Sequence, residues 1–395
     1  MPGSSVIALE GVVRPYAWGS RTAIPQLLGR QPTGEPEAEL WFGAHPDDPA
    51  LAPEHGTTLD KLIAQNPQAM LGPDVVRRFG PQLPFLVKIL AAGSALSLQV
   101  HPTLEQARAG FAAENAAGIA LSSPQRVYHD ANHKPELLCA LSEFDALCGF
   151  RPVRQTLRLL DSLDVPRLAE YRTLLAGPDG LRATFTALLA HGDASLVDEV
   201  VAACQARVDS GGEWQAVLRA VLLAAEDFPG DVGCVLALLL NAVRLAPGEA
   251  IWLAAGNVHA YLRGIGVEVM ANSDNVLRCG LTAKHVDVPE LLRITRFIEL
   301  ADPVLAPRTA RSGERAFQTP APDFAVSVLA VDGSMDVAAG GPQLLLCTSG
   351  AVRLTAADES ATTLGPGRAA LLAAGHGARL DGAATVFRTN CLPKT

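Results

Sequence analysis

Two textures alternate along this chain. Through residue 150, short apolar runs are broken by Gly and Pro, as in LPFLVKIL at 83–90 and PELLCAL at 135–141, and they predict strands. LDKLIAQ at 59–65 predicts a short helix. From 151 to 244 the apolar spacing becomes helical. Val197, Val200, Val201, Cys204 and Val208 trace one face, and Trp214, Val217, Leu218 and Val221 trace another. AGPDG at 176–180, HGDAS at 191–195 and FPGDVG at 228–233 separate the segments. After 245 the strand texture resumes. Phe324, Val326 and Val328 alternate as a half-buried strand should, and APRTARSGERAFQTPAP at 306–322 reads as an exposed connection with a boundary near 310.

A weak internal repeat fits this organisation. RLAPGEAIWLAAGNVHA at 244–260 overlays TLGPGRAALLAAGHGAR at 363–379 without a gap, matching Pro-Gly to Pro-Gly and LAAG to LAAG. A Pro-Gly turn, a strand and a second Gly turn form one hairpin unit of a small β-barrel. Ala378 stands where the first copy has His259, which argues that His259 has a task beyond packing.

The chemistry begins with SLQVHP at 97–102. Successive strand residues face opposite ways, so Gln99 and His101 project together while Val100 points away. Polar groups on one face of an apolar run need buried hydrogen bonds or a metal. Glu136 in HKPE and His259 in GNVHAY could join them: two imidazoles, a carboxylate and an amide oxygen suit a divalent transition metal. Spacing alone leaves ordinary hydrogen-bonded core histidines equally open. In GVEVMANSDNVLRCGLTAKHVDV at 266–288, Glu268 alternates with Val267 and Val269 and is expected to face the interior with His259, one hairpin earlier. Arg278 and Lys284 follow, a planar fork and a point charge suited to phosphate or a developing oxyanion.

Composition narrows the partners. With 395 residues, two or three domains are expected. A net charge of −9 excludes a broad basic field for nucleic acid, so an anionic ligand would be held by a few local cations. Lysine is scarce, only Lys61, Lys88, Lys134, Lys284 and Lys394; the first and last read as surface residues, and the other three fall in the stretches quoted above. Seven scattered cysteines without a CxxC pair predict reduced thiols and a cytoplasmic location. No secretory leader and no membrane span is expected.

SLQVHP, HKPEL, GNVHAYL and EVMANSDNVLRCGLTAKHVDV together resemble the type I mannose-6-phosphate isomerases, zinc enzymes of the cupin superfamily; YAWG at 16–19 and ELWFGAHP at 39–46 are similar to that family's N-terminal motifs. The resemblance implies a mainly β fold with a helical insert: two cupin-like jelly-roll β-barrel domains plus an α-helical domain. The expected division is a catalytic cupin domain in two parts, 1–150 and 245–310, a helical insert at 151–244, and a metal-free cupin-like β domain at 311–395. It implies one Zn2+ per chain on Gln99, His101, Glu136 and His259. Arg278 becomes the active-site arginine; Glu268, Lys134, Asp274 and His101 are the candidates for proton transfer, with Glu268 and Lys134 ahead and a zinc-bound His101 a poor base. Ser97, Lys88, Lys284, Trp18 and Tyr261 are expected at the substrate. The implied reaction interconverts D-mannose 6-phosphate and D-fructose 6-phosphate through a cis-enediol, in a monomer bound to neither nucleic acid nor membrane, feeding GDP-mannose synthesis or mannose catabolism.

Rival readings are an iron(II) oxygenase on a cupin barrel, which also uses two histidines and a carboxylate, and a sugar-binding regulator with structural zinc. The oxygenase has no need of the lysine and arginine cluster. A structural zinc is more often closed by cysteines. An isomerase of a related sugar phosphate is the nearest rival.

Overall fold

A computed structural model describes residues 4–311 and 313–391. Lys394 lies outside the described residues. The chain divides into two compact units, one comprising 1–91, 266–272 and 305–395, the other 92–265 and 273–304.

The first unit is built on antiparallel strands. Its eight-stranded sheet runs in the order Val6–Leu9, Ala369–Leu372, Gln343–Ala356, Ala378–Asn390, Ala325–Val337, Glu314–Phe317, Arg308–Arg311, with Ala361–Leu364 also on Gln343–Ala356. Leu329, Val331, Leu345, Val352, Leu354, Leu380 and Val386 fill its core. Two expectations change here. The tract at 306–322 is exposed but not a plain connection, because Arg308–Arg311 pairs with Glu314–Phe317 as an edge hairpin. Alternation also fails to mark one buried face between Phe324 and Leu329: Ser327 is buried too, donating its hydroxyl to Glu314 at 2.7 Å. In the same unit Val12–Arg14, Glu39–Gly43 and Phe85–Ala92 pair antiparallel, and every residue of the last is buried.

The first unit also holds short helices, among them the predicted Leu59–Gln65, and the second carries the longer ones. Thr156, Leu159, Leu160 and Leu163 repeat at helical spacing and are the buried face of Val153–Leu163. Asp193 caps Ala194–Val208 by accepting the Leu196 amide at 2.8 Å, and Thr103 with Gln106 forms a capping box on Leu104–Ala116. The helices share one apolar core with strands, in which Phe185, Val200, Val221, Leu147 and Leu262 are fully covered. The strands run side by side in the order Leu240–Leu245, Phe144–Phe150, the first part of His259–Ala271, Leu98–Val100 and Leu277–Gly280. Glu136–Ala140 pairs with Ala250–Leu253.

The repeat is real at the level of backbone. Ala250–Leu253 and Ala369–Leu372 correspond, as do the 13-residue strands His259–Ala271 and Ala378–Asn390. Gly248 and Gly367 have φ of +89° and +71°, and Gly256 and Gly375 have +81° and +82°. Side chains rarely adopt that region, which explains why glycine recurs at both turns. His259 and Glu268 stand on one continuous strand, so the expected intervening hairpin is absent. Gly264, at φ +132°, lets the strand continue past an irregularity near Arg263 rather than turn back.

Candidate metal centre and substrate site

One rung of paired strands assembles most of the candidate site in the second unit. Cys148 opposes His259, His259 opposes Gln99, and Gln99 opposes Arg278. Directly opposed residues project to the same side of a sheet, so Gln99 lies between His259 and Arg278 on one face. His101 follows one residue after the strand Leu98–Val100. Glu136 begins its own strand opposite Leu253.

Glu136 Oε2 lies 3.4 Å from His101 Nε2 and 3.5 Å from His259 Nε2, and the two ring centroids are 4.9 Å apart. All three side chains are buried. His101 Nδ1 donates to the Asn275 carbonyl at 2.8 Å, and His259 Nδ1 donates to the Asn257 carbonyl at 3.0 Å. A carbonyl can only accept, so in its neutral form each ring keeps its proton on Nδ1 and turns the Nε2 lone pair toward the carboxylate. Neither Nε2 has a hydrogen-bond partner. Buried lone pairs facing a carboxylate repel one another unless a cation stands among them. The donor set of two imidazoles and a carboxylate fits a divalent transition metal, and the register sets Gln99 beside His259 on the same face.

The electrostatics agree. Burial pushes the His101 imidazole down to about 4, so it is neutral at pH 7. Burial alone would push the Glu136 carboxyl up, but in the acid range where the two groups titrate together a protonated His101, with the Lys134 ammonium, outweighs burial and holds it well below the usual carboxylate range. Lys134 Nζ lies 3.4 Å from Glu136 Oε1.

Arg278 lines a cavity of about 490 Å3 with Lys284, His129, His285 and Arg126. Burial lowers the Arg278 pKa, and the Arg278 charge is the main cause lowering that of Lys284. Among the described residues neither has a carboxylate ion-pair partner. Two cations pressed together at a cavity wall make a site for an anion.

In the first unit Lys88 is buried between two carboxylates, 3.3 Å from Glu39 Oε1 and 3.2 Å from Glu268 Oε2, with Nζ over the Trp41 ring at 4.9 Å. Trp41 Nε1 donates to Glu39 Oε2 at 2.7 Å. Trp18 is half-buried and stacks on Tyr16 at 5.8 Å. Tyr261 is buried in the second unit, edge-on to Phe144 and 6.3 Å from the His259 ring. Ser97 is half-buried just before Leu98, whereas Asp274 is exposed on its turn.

Sequence reasoning missed Asn275, Asn257, Glu39 and Trp41. Asn275 and Asn257 hold the histidines through backbone carbonyls, which leave no mark in the residue pattern. Glu39 and Trp41 sit two apart on a strand opposite Lys88, a same-face polar pair like Gln99 and His101. That signal could have found them.

A family model of the phosphomannose isomerase type I catalytic domain matches residues 6–153. The mannose-6-phosphate isomerase of Escherichia coli strain K12 is 38% identical over 374 residues, covering 92% of this chain and 93% of its own. That of Bos taurus is 34% identical, with 89% of each chain covered. Among solved structures, a zinc-bound holo form of mannose 6-phosphate isomerase superposes with a TM-score of 0.90 at 36% identity, covering 99% of this chain and 100% of its own. The apo form from Salmonella typhimurium matches with the same score, identity and coverage. The β-rich fold with a helical region expected from the sequence is the fold of these structures.

Proposed function

The chain belongs to the type I phosphomannose isomerase family, and from that premise we propose that it interconverts D-mannose 6-phosphate and D-fructose 6-phosphate through a cis-enediol. The observation that carries this reading is the pair of buried, partnerless imidazole Nε2 atoms aimed at one oxygen of Glu136. We assign Gln99, His101, Glu136 and His259 to a single Zn2+, which when bound supplies Lewis acidity toward the oxygens on C1 and C2 of the sugar.

The chain's own residues do the rest. Arg278 and Lys284 gather the phosphate and steady negative charge on the sugar, supported by their shared cavity and mutual repulsion. Ser97, half-buried at the start of the Gln99 strand, offers a hydroxyl to the same end of the substrate. Glu268 is our choice for the base that takes the C2 proton and returns it at C1. Lys134, 3.4 Å from the Glu136 carboxylate, is engaged with a proposed metal ligand and ranks second. Exposed Asp274 ranks behind both. Lys88, shared by Glu39 and Glu268, serves the base rather than the phosphate. Trp18 offers a ring face to the sugar, while Tyr261 packs beside His259.

We infer the four-part domain division at 150, 244 and 310; helices from Val153–Leu163 to Gly233–Leu236 support the inserted helical part. A monomer in the cytoplasm is inferred as well. Among the described residues no disulfide joins the seven buried cysteines, as a reducing compartment allows, and no helix is long and apolar enough to cross a membrane.

Proton NMR of mannose 6-phosphate with the zinc-loaded protein in D2O tests this. Fructose 6-phosphate should appear with solvent deuterium at the migrating position, and Glu268→Gln should abolish both. No turnover by the zinc-loaded protein would refute the assignment.

A further inference from the structure

The two histidines of the metal centre are held in different ways. His259 donates Nδ1–H to a carbonyl two residues away, whereas His101 relies on Asn275, 174 positions along the chain. Asn275 is fully buried, and its side chain uses its whole hydrogen-bonding capacity on one loop. Oδ1 accepts the His129 amide at 2.8 Å and the Asp130 amide at 3.3 Å. Nδ2 donates to the Asp130 carbonyl at 2.9 Å, to Asp130 Oδ1 at 3.2 Å and to the Asn132 carbonyl at 2.9 Å. Its partners are backbone N–H on one side and carbonyls on the other, so the amide has only one way round.

Neighbouring residues of the same turn strengthen the tie. Ser273 Oγ lies 3.0 Å from the Asp130 carboxylate and 3.2 Å from the Asn132 carbonyl, with its one proton donated to the carboxylate or shared between them. The Asp274 amide donates to Asp130 Oδ2 at 2.7 Å. The loop so gripped continues within four residues into Lys134 and Glu136. One turn therefore fixes the His101 ring by a carbonyl and the approach to Glu136 by side chains.

We propose that Asn275 is a positioning residue of the metal centre: it locks the His101 tautomer and ties that ring to the loop that delivers Glu136. The proposal rests on the reading of His101 and Glu136 as zinc ligands. A residue placed only for stability would lower the unfolding midpoint and leave the metal's surroundings alone. A positioning residue alters the affinity and the ligand field.

The test is zinc affinity of the full chain by competition with a chelator, with the absorption spectrum of the cobalt(II)-substituted protein and the urea midpoint of the metal-free protein alongside. Asn275→Ala should weaken zinc by about 10–100-fold, the range for loss of an outer partner of a metal-bound histidine, and should change the cobalt bands. Ser273→Ala, which removes one hydroxyl from the same turn, should act in the same direction by less, and it carries the test where Asn275→Ala does not fold. Wild-type zinc affinity and cobalt bands in whichever of these variants folds would overturn the proposal. His101→Ala separates the two failures: if it too binds zinc as the wild type does, the ligand reading itself falls, and if it loses zinc while the turn variants do not, only the positioning role falls.

Discussion

Acidifying the metal-free protein puts the buried state of His101 to a direct test. The folded chain holds this imidazole neutral, its pKa pushed from an ordinary 6.5 to about 4 by burial. The unfolded chain leaves it near 6.5. Between those values the unfolded state binds a proton that the folded state refuses, so stability falls as pH falls. The loss begins near pH 6.5 and is complete below about pH 4, where both states are protonated. Its slope approaches about 1.4 kcal/mol per pH unit within the window, and the whole amounts to about 3 kcal/mol. Glu136, held well below the ordinary carboxylate range, adds a loss of the same sign at lower pH, beginning near 4.5. Urea unfolding of metal-free wild type and His101→Gln from pH 7.5 to 4.5 measures the difference. The wild type should lose about 2–3 kcal/mol more than the variant over that range. Parallel pH profiles would show that His101 is not held neutral, and the argument from two bare Nε2 lone pairs would fail with it.

Further outcomes follow from the same geometry. Glu136→Gln removes the charge between both rings and the partner of Lys134; zinc affinity by chelator competition should fall by more than the ~10–100-fold expected for an outer partner. Arg278→Lys keeps the charge but loses the planar fork, and kcat/KM for mannose 6-phosphate should drop by roughly 10²–10³ with zinc content unchanged. The paired glycines of the repeat should differ under substitution, read by urea midpoints. Gly375→Ala meets nothing within 4 Å and should cost only the left-handed backbone, about 1–2 kcal/mol. Gly256→Ala would also press its Cβ to 2.4 Å from Arg296 Cγ and should cost more.

Burial patterns made much of the fold legible. The run through Lys88 is a strand buried along its whole length, and Val197, Val200 and Cys204 face the helical core as their spacing requires. The repeat was readable because glycine at a left-handed turn is a backbone requirement that sequence records directly. The Gln99 and His101 pair stood out because strand period is two; Gln99 pairs with His259, while His101 follows the end of the strand. What escaped notice has physical reasons too. The edge hairpin of Arg308–Arg311 and Glu314–Phe317 is dominated by polar residues, with Phe317 its one large buried apolar side chain, so no alternation announces it. Gly264 and Gly266 resemble a turn in sequence, yet the strand from His259 runs through them to Ala271. Asn275 escaped because its contribution is a carbonyl and a set of loop contacts, and neither depends on a neighbour in the chain.

The central claim is that one zinc ion, held by the buried histidine and carboxylate cluster, enables the isomerisation. Titrating zinc into the metal-free chain while following fructose 6-phosphate formation tests it most directly. Activity should start near zero and rise linearly to a plateau at one equivalent, and His259→Ala should stay inactive at every ratio. Full activity without zinc, or a plateau unaffected by loss of His259, would contradict it.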